Sequence, residues 1–446
     1  MSFEVQKWFA EQKITEVECL VSDISGIPRG KILPVHKFLA ALEGDGLRLP
    51  EYVLGQSVMG DYHDSDVLHE IGRDVRLIPD LSTCRLVPWY KEPTAQIIHD
   101  AIHQDGSEVN FSSRAVLKNV LKLFDSIEVK PIIAPELEFF LVEQSHDANA
   151  PLVSPKGRSG RAETAKQAYG IDAVNEFDPL FEDIYDHCEL QKLDIDTLSH
   201  EAGAAQMEIN FNHAGALELA DQAFLFKRTL RQTALDHGLH ATFMAKPMQD
   251  QPGSSMHVHV SLVDKKTNQN IFSKEDGTES DAFYHSLSGM QHYLGAAMAL
   301  MAPYVNSYRR AGGGEDSPAN LAWGMDNRTV GLRVPIGDPR SRRIENRIPG
   351  ADANPYLAIA ATLAAIWLGL REQRMPSKPR TKSGEGLATL PRNLDVALDA
   401  LQKAKPLHEA LGHDFVTLFI EVKRAEAEAF LQVISPWERE YLLLNV

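Results

Sequence analysis

The sequence predicts an α+β protein in two parts, a small sheet-rich domain over residues 1–110 and a larger domain of mixed strands and helices over 111–446. Three observations carry this expectation. Before the join, extended runs alternate with Gly/Pro turns. At the join, Asp105-Gly106-Ser107 raises the polarity, and Ser112 or Ser113 can cap a helix over 114–124. Beyond it, alternating strand patterns interleave with apolar stretches of helical length.

In chain order, residues 3–12 read as a short amphipathic helix, and 17–23 and 29–34 as a hairpin around Ser25-Gly26-Ile27-Pro28. Strand patterns recur at 74–78 and 94–99. Residues 131–142, 206–211 and 256–262 read as strands of the larger part. Helices are expected over 221–237, 283–302 and 355–371, the last starting at Asn354-Pro355. Residues 145–165 and 373–385 read as polar loops.

The 446 residues are 43% hydrophobic and 24% charged, enough for a large core, which excludes intrinsic disorder and a disulfide-stapled mini-fold. Net charge is 45 − 62 = −17, a field that repels nucleic-acid backbones and draws in cationic small molecules. Cys19, Cys84 and Cys188 are odd in number and far apart, as in a reducing compartment. The N-terminus lacks a signal peptide's apolar core, and the longest apolar run, 356–370, is short of the ~20 residues of a membrane span. The expectation is a cytoplasmic protein with no membrane and no nucleic-acid partner.

Three segments carry chemistry. Glu136-Leu137-Glu138 places two carboxylates on one face of an apolar strand, which is costly inside a protein without a compensating cation; a strand end reaching solvent is the alternative. Met256-His257-Val258-His259-Val260-Ser261 repeats the device with two histidines, suited to a metal or ligand, or else to an ordinary core pair. Arg328, Arg333, Arg340, Arg342, Arg343 and Arg347 stand against only Asp338 and Glu345, a local charge of 6 − 2 = +4. Arginine forks grip phosphate and carboxylate oxygens, and surface ion pairs are the competing explanation. A Glu-rich set with histidine and no cysteine favours Mg²⁺ or Mn²⁺ over Zn²⁺. With arginines it suits phosphoryl transfer. Residues 26–32 have a superficial likeness to a P-loop but are one residue short and lie in a hairpin.

Pro135-Glu136-Leu137-Glu138-Phe139-Phe140, His200-Glu201 with Gln206-Met207-Glu208, Gly253-Ser254-Ser255-Met256-His257-Val258-His259, Asn306-Ser307-Tyr308-Arg309-Arg310, Asn327-Arg328 and Arg342-Arg343-Ile344-Glu345-Asn346-Arg347 resemble, in order and spacing, the signature blocks of type I glutamine synthetases. Residues 323–335 and 349–356 look most like the gamma-glutamylpolyamine (gamma-glutamylputrescine) synthetase branch. The resemblance implies an N-terminal β-grasp domain, a glutamine-synthetase-type catalytic domain, and a dodecamer of two stacked hexameric rings with sites between subunits. It implies ATP-dependent phosphorylation of glutamate's γ-carboxylate, followed by attack of an amine on the γ-glutamyl phosphate. Two or more Mg²⁺ or Mn²⁺ ions per site are implied, one held by Glu138, Glu201 and Glu208, another by Glu136, His257 and Glu345. Arg328, Arg333 and Arg343 match phosphate-gripping positions, and Arg310 and Arg347 substrate-carboxylate positions. Gly253 matches the substrate side, and His259 and Ser261 the ATP side.

Departures from the ammonia-using pattern point to an organic amine, a polyamine first. The Asp-Gly-Ser-Ser segment that helps hold ammonium is replaced here by Val53-Leu54-Gly55-Gln56-Ser57-Val58, which implies room for a larger guest at the subunit boundary. The flap reads Gly313-Gly314-Glu315-Asp316-Ser317-Pro318, making Glu315 and Asp316 the candidates for attracting and deprotonating the amine. Pro252-Gly253-Ser254-Ser255 replaces Asn-Gly-Ser-Gly, and Asn393-Leu394-Asp395 lacks the regulatory tyrosine. A glutamine synthetase using ammonia and a non-catalytic ring-forming relative are the alternatives.

Overall fold

The computed structural model describes residues 2–44, 46–62, 65–68, 72–164, 166–310, 318–381 and 390–446. Among them, strands β1 (Glu16–Ser22), β2 (Pro28–Pro34), β3 (Leu47–Pro50), β4 (Asp74–Pro79), β5 (Arg85–Val87) and β6 (Thr94–Ile102) form one sheet, ordered β2-β1-β6-β4-β3 with β5 beside β6. The expected hairpin is β1–β2, and β1 runs parallel to β6. Alternation decides the two faces of this sheet. Val17, Cys19, Ala95 and Ile97 pack under the helices Ser2–Glu11 and Val35–Glu43, whereas Leu20 and Ile98 join the main core.

The second sheet holds β7 (Val129–Glu143), β8 (Ile195–His200), β9 (Gln206–Phe211), β10 (Ala214–Gly215), β11 (Leu239–Thr242), β12 (Met256–Asp264), β13 (Trp323–Met325), β14 (Leu332–Val334) and β15 (Ile344–Asn346), ordered β13-β14-β15-β12-β7-β9-β8 with β10 and β11 also on β7. Leu137, Phe139, Met207, Ile209, Met256 and Val258 are buried in the main core on one face. The opposite parity carries the carboxylates and histidines.

The helix Ser113–Asp125 is capped by Ser112, and Pro355–Glu372 by Asn354, whose side chain accepts from Tyr356 N. No helix among the described residues is long and apolar enough to cross a membrane, and Pro355–Glu372 is a buried core helix instead. It crosses Asp281–Tyr293 so closely that a Cβ on Gly289 would lie 2.2 Å from the Ala365 carbonyl oxygen. Two helix expectations change. The one placed at 221–237 starts earlier, at Ala216, after Gly215 leaves the strand pairing of β10. The one placed at 283–302 ends at Tyr293, and only Met298–Met301 resumes as helix.

Candidate catalytic and metal-binding site

Register assembles the site across adjacent strands. Glu208 on β9 lies opposite Glu138 on β7, and His257 on β12 opposite Glu136. Glu345 on β15 lies opposite both His259 and, on its other side, Arg333 of β14. Because side chains alternate along each strand, all of these residues share one face.

Hydrogen bonds fix the histidine tautomers. Arg343 Nε donates to His259 Nδ1 at 3.2 Å, so the ring proton of a neutral His259 sits on Nε2 and is donated to Glu136 Oε1 at 2.8 Å. His257 Nδ1 lies 3.1 Å from Glu136 Oε2 and donates to it. That leaves His257 Nε2 with its lone pair, buried, without a partner among the described residues, and 3.9 Å from Glu138 Oε1. A histidine held through one nitrogen with the other lone pair free is the arrangement of a metal ligand. Two triads have ligand atoms within 4.8 Å of one another, Glu136–His257–Glu345 and Glu138–Glu208–His257. His257 thus stands between the two groups. Glu201, at the end of β8, is outside both triads, though its charge reaches Glu208.

The charges are unevenly compensated. Burial pushes the Glu136 carboxyl up, but bonds from His257 and His259 more than reverse this and leave it well below the usual range. Burial likewise opposes His257, His259 and Arg347 at Glu345, whose carboxyl ends lowered. Glu208 goes the other way, driven well above the usual range by burial and then by Glu136, Glu138, Glu201 and Glu345. Burial also raises Glu138. Carboxylates crowded among like charges, beside an unpartnered imidazole nitrogen, fit hard divalent cations.

The arginines separate into distinct settings. Arg333 pairs with Glu345 at 2.7 Å and with Asp326 at 2.5 Å, and Arg347 pairs with the other oxygen of Glu345. The Nε atoms of Arg333 and Arg347 are buried without a partner among the described residues. Arg310 is buried and committed to Ser255 Oγ at 2.7 Å and to the carbonyls of Ile348 and Arg347. Arg343, with His259 and Ser261, lines a cleft of about 1570 Å³ that opens beside Glu136. Arg328 is exposed between β13 and β14 and does not line that cleft. Arg340 and Arg342 follow the ion-pair alternative, Arg340 with Asp338 at the surface and Arg342 with Glu279 in a mostly buried pair. Gly253 packs against Arg310, and a Cβ there would lie 2.6 Å from Arg310 Cγ. Glu315 and Asp316 lie outside the described residues.

In the stretch that stands in place of the ammonium-holding segment, Leu54 is buried in the core, Gly55 packs on Leu418 and Val58 is exposed. Ser255 and Gln206 are site residues that sequence reasoning missed. Ser255 N donates to Glu138 Oε2 at 2.8 Å, and Gln206 Nε2 donates to the Gly253 carbonyl at 3.0 Å. Their place inside the quoted blocks Gln206-Met207-Glu208 and Gly253-Ser254-Ser255 was the available signal.

Residues 110–442 match the glutamine synthetase catalytic domain family. The chain is 34% identical to gamma-glutamylputrescine synthetase of Escherichia coli K12, covering 99% of this chain and 94% of that one. It is 31% identical to a glutamate–isopropylamine ligase of a Pseudomonas species, covering 98% and 96%. It is 33% identical to a glutamine synthetase of Pyrococcus abyssi, covering 94% and 91%. Among solved structures it resembles a GmaS/ADP complex, with a TM-score of 0.86, 26% identity and 98% of both chains covered. Matched over most of its length in both sequence and fold, the chain belongs to the glutamine synthetase family of ligases.

Proposed function

We propose that this protein joins the γ-carboxylate of glutamate to an organic amine, a polyamine first, with ATP consumed to form γ-glutamyl phosphate. The single observation that supports the chemistry best is the shared strand face of Glu136, Glu138, Glu208, His257 and Glu345, with the cleft opening beside it. Two or more Mg²⁺ or Mn²⁺ ions held by these residues and Glu201 would neutralise phosphate and carboxylate oxygens. Arg343, His259 and Ser261 bind the nucleotide from the cleft, and Arg333, tied to Glu345, orients phosphate oxygens through donors that Glu345 and Asp326 do not use. Arg328 reaches the transferring group from its exposed loop. Arg310 and Arg347 take the substrate carboxylate, for which Arg310 exchanges one of its present bonds, and Gly253 keeps the backbone close. Glu315 and Asp316 attract the ammonium form of the amine and remove its proton before attack.

The amine rests on two supports. Two of the matched relatives are named for amines, and no acid stands in Val53-Leu54-Gly55-Gln56-Ser57-Val58. Ammonia is the second reading, favoured by the match to the Pyrococcus glutamine synthetase. We read the assembly as a cytoplasmic dodecamer of two hexameric rings, with a β-grasp domain over 1–110 and a catalytic domain over 111–446. The exposed apolar C-terminus, with Leu443 73% and Leu444 91% accessible, supports burial against another copy.

The test is phosphate release across an amine panel at fixed glutamate, ATP and Mg²⁺. At least one diamine or polyamine should exceed ammonium in kcat/KM by about tenfold, equivalent to ~1.4 kcal/mol of transition-state discrimination. Preference for ammonium throughout would make this a glutamine synthetase, and no release with any amine would make it a non-catalytic relative.

A further inference from the structure

The turn that carries Glu201 is clamped by Gln206 at the start of β9 and by side chains from two other segments. Ala205 ends it at φ +54°, a left-handed conformation that a non-glycine residue holds only where its surroundings enforce it. Its amides are held one by one. Glu201 N donates to the Gln206 carbonyl at 2.8 Å, Gly203 N to Gln206 Oε1 at 2.9 Å, and Ala204 N to Gln251 Oε1 at 3.0 Å. Ala205 N donates at 2.7 Å to Oε2 of Glu163, which comes from the polar loop before β8. The same oxygen lies 2.9 Å from Nε2 of His200, whose side chain is fully buried. His200 Nδ1 then donates to the Glu201 carbonyl at 2.6 Å. One carboxylate therefore grips both ends of the turn, at Ala205 directly and at Glu201 through the imidazole ring.

We propose that Glu163 and His200 are a positioning pair that aims the Glu201 carboxylate at the cation shared with Glu138 and Glu208. The proposal rests on the metal reading above. Neither residue touches the reacting groups; their effect passes through the backbone of the turn, and partners of this kind change metal affinity about 10–100-fold when removed.

The test is Mn²⁺ binding to the whole protein, read from the paramagnetic resonance of free Mn²⁺ without ATP or glutamate. Glu163→Gln should weaken one class of Mn²⁺ site about tenfold and leave the other within about twofold. His200→Gln, the second variant should the first not fold, should do the same. Glu201→Gln should weaken the same class, and adding Glu163→Gln to it should cost little more, because both act through one carboxylate. Unchanged affinity, additive losses, or equal weakening of both classes would overturn the positioning role. A wild-type chain binding fewer than two Mn²⁺ ions would overturn the metal reading itself, and this proposal with it.

Discussion

Asp80, Asp100 and Asp221 converge on Arg114 where the small sheet meets the larger part, much as Glu136, Glu138, Glu208 and Glu345 converge on His257. Both clusters gather acids from distant segments, yet they are finished differently. Arg114 Nε and Nη2 clasp Asp221 at 2.9 Å, Nη1 meets Asp100 at 2.8 Å, and Nη2 meets Asp80 at 2.6 Å. Lys118 adds a second cation on Asp100, and the Tyr356 hydroxyl donates to Asp221. The candidate site instead leaves His257 Nε2, Arg333 Nε and Arg347 Nε buried and unpartnered among the described residues. A closed cluster stabilises the join between two parts of a fold; an open one retains affinity for something outside the chain. The difference separates an ion network that is complete within the chain from one that is not.

The sharpest way to break this comparison is to remove one charge from each cluster. Glu138→Gln and Glu345→Gln should lower turnover at least a hundredfold, about 2.7 kcal/mol or more, while sedimentation shows the assembly intact. Near-normal phosphate release at saturating Mg²⁺ would mean that neither carboxylate holds a catalytic cation. Arg114→Met should do the reverse. Leaving buried Asp221 uncompensated should cost about 3–5 kcal/mol in urea unfolding, with turnover per folded site within about twofold of the parent. A loss of kcat at unchanged stability would dissolve the distinction between the two clusters.

A smaller effect follows from Glu208, whose carboxyl is raised by burial and by Glu136, Glu138, Glu201 and Glu345. In the metal-free protein its protonated form persists to higher pH than in the unfolded chain. Its contribution to stability is complete below the unfolded value of about 4.3 and is lost as pH rises through the raised folded value. Metal-free Glu208→Gln should therefore melt above the parent at neutral pH, with the gap closing near pH 4. Added Mg²⁺ should raise the parent more than the variant. A lower melting temperature for the metal-free variant at pH 7 would show that Glu208 is already compensated from within the chain.

Much of the site is legible in the sequence because it depends on local periodicity. Two residues per strand repeat put Glu136 with Glu138 and His257 with His259, and Ser112 and Asn354 announce the helices that follow them. The family blocks carried the remaining candidate ligands, of which Glu208 and Glu345 join the two acid groups. What local pattern leaves undecided is which member of a charged run does what. Among the arginines, Arg342 is held by Glu279 and by the Gly277 and Thr278 carbonyls, while Arg343, its neighbour, reaches His259 at the cleft. Strands β13, β14 and β15 are three residues each, too short to show a period, and the break after Tyr293 interrupts a pattern that otherwise reads as continuous helix.

The sequence by itself determined the family, the strand that carries the paired carboxylates and the kind of cation they suit, because residue type and spacing along one segment settle these. Only the tertiary structure decided that His257 stands between two acid groups, that Arg310 is committed to Ser255, that Leu54 and Gly55 turn inward, and that Glu163 reaches the turn of Glu201. Each of these depends on register between strands or on a contact between segments far apart in the chain. Such contacts are set by how the whole core packs, and no window of neighbouring residues contains that information.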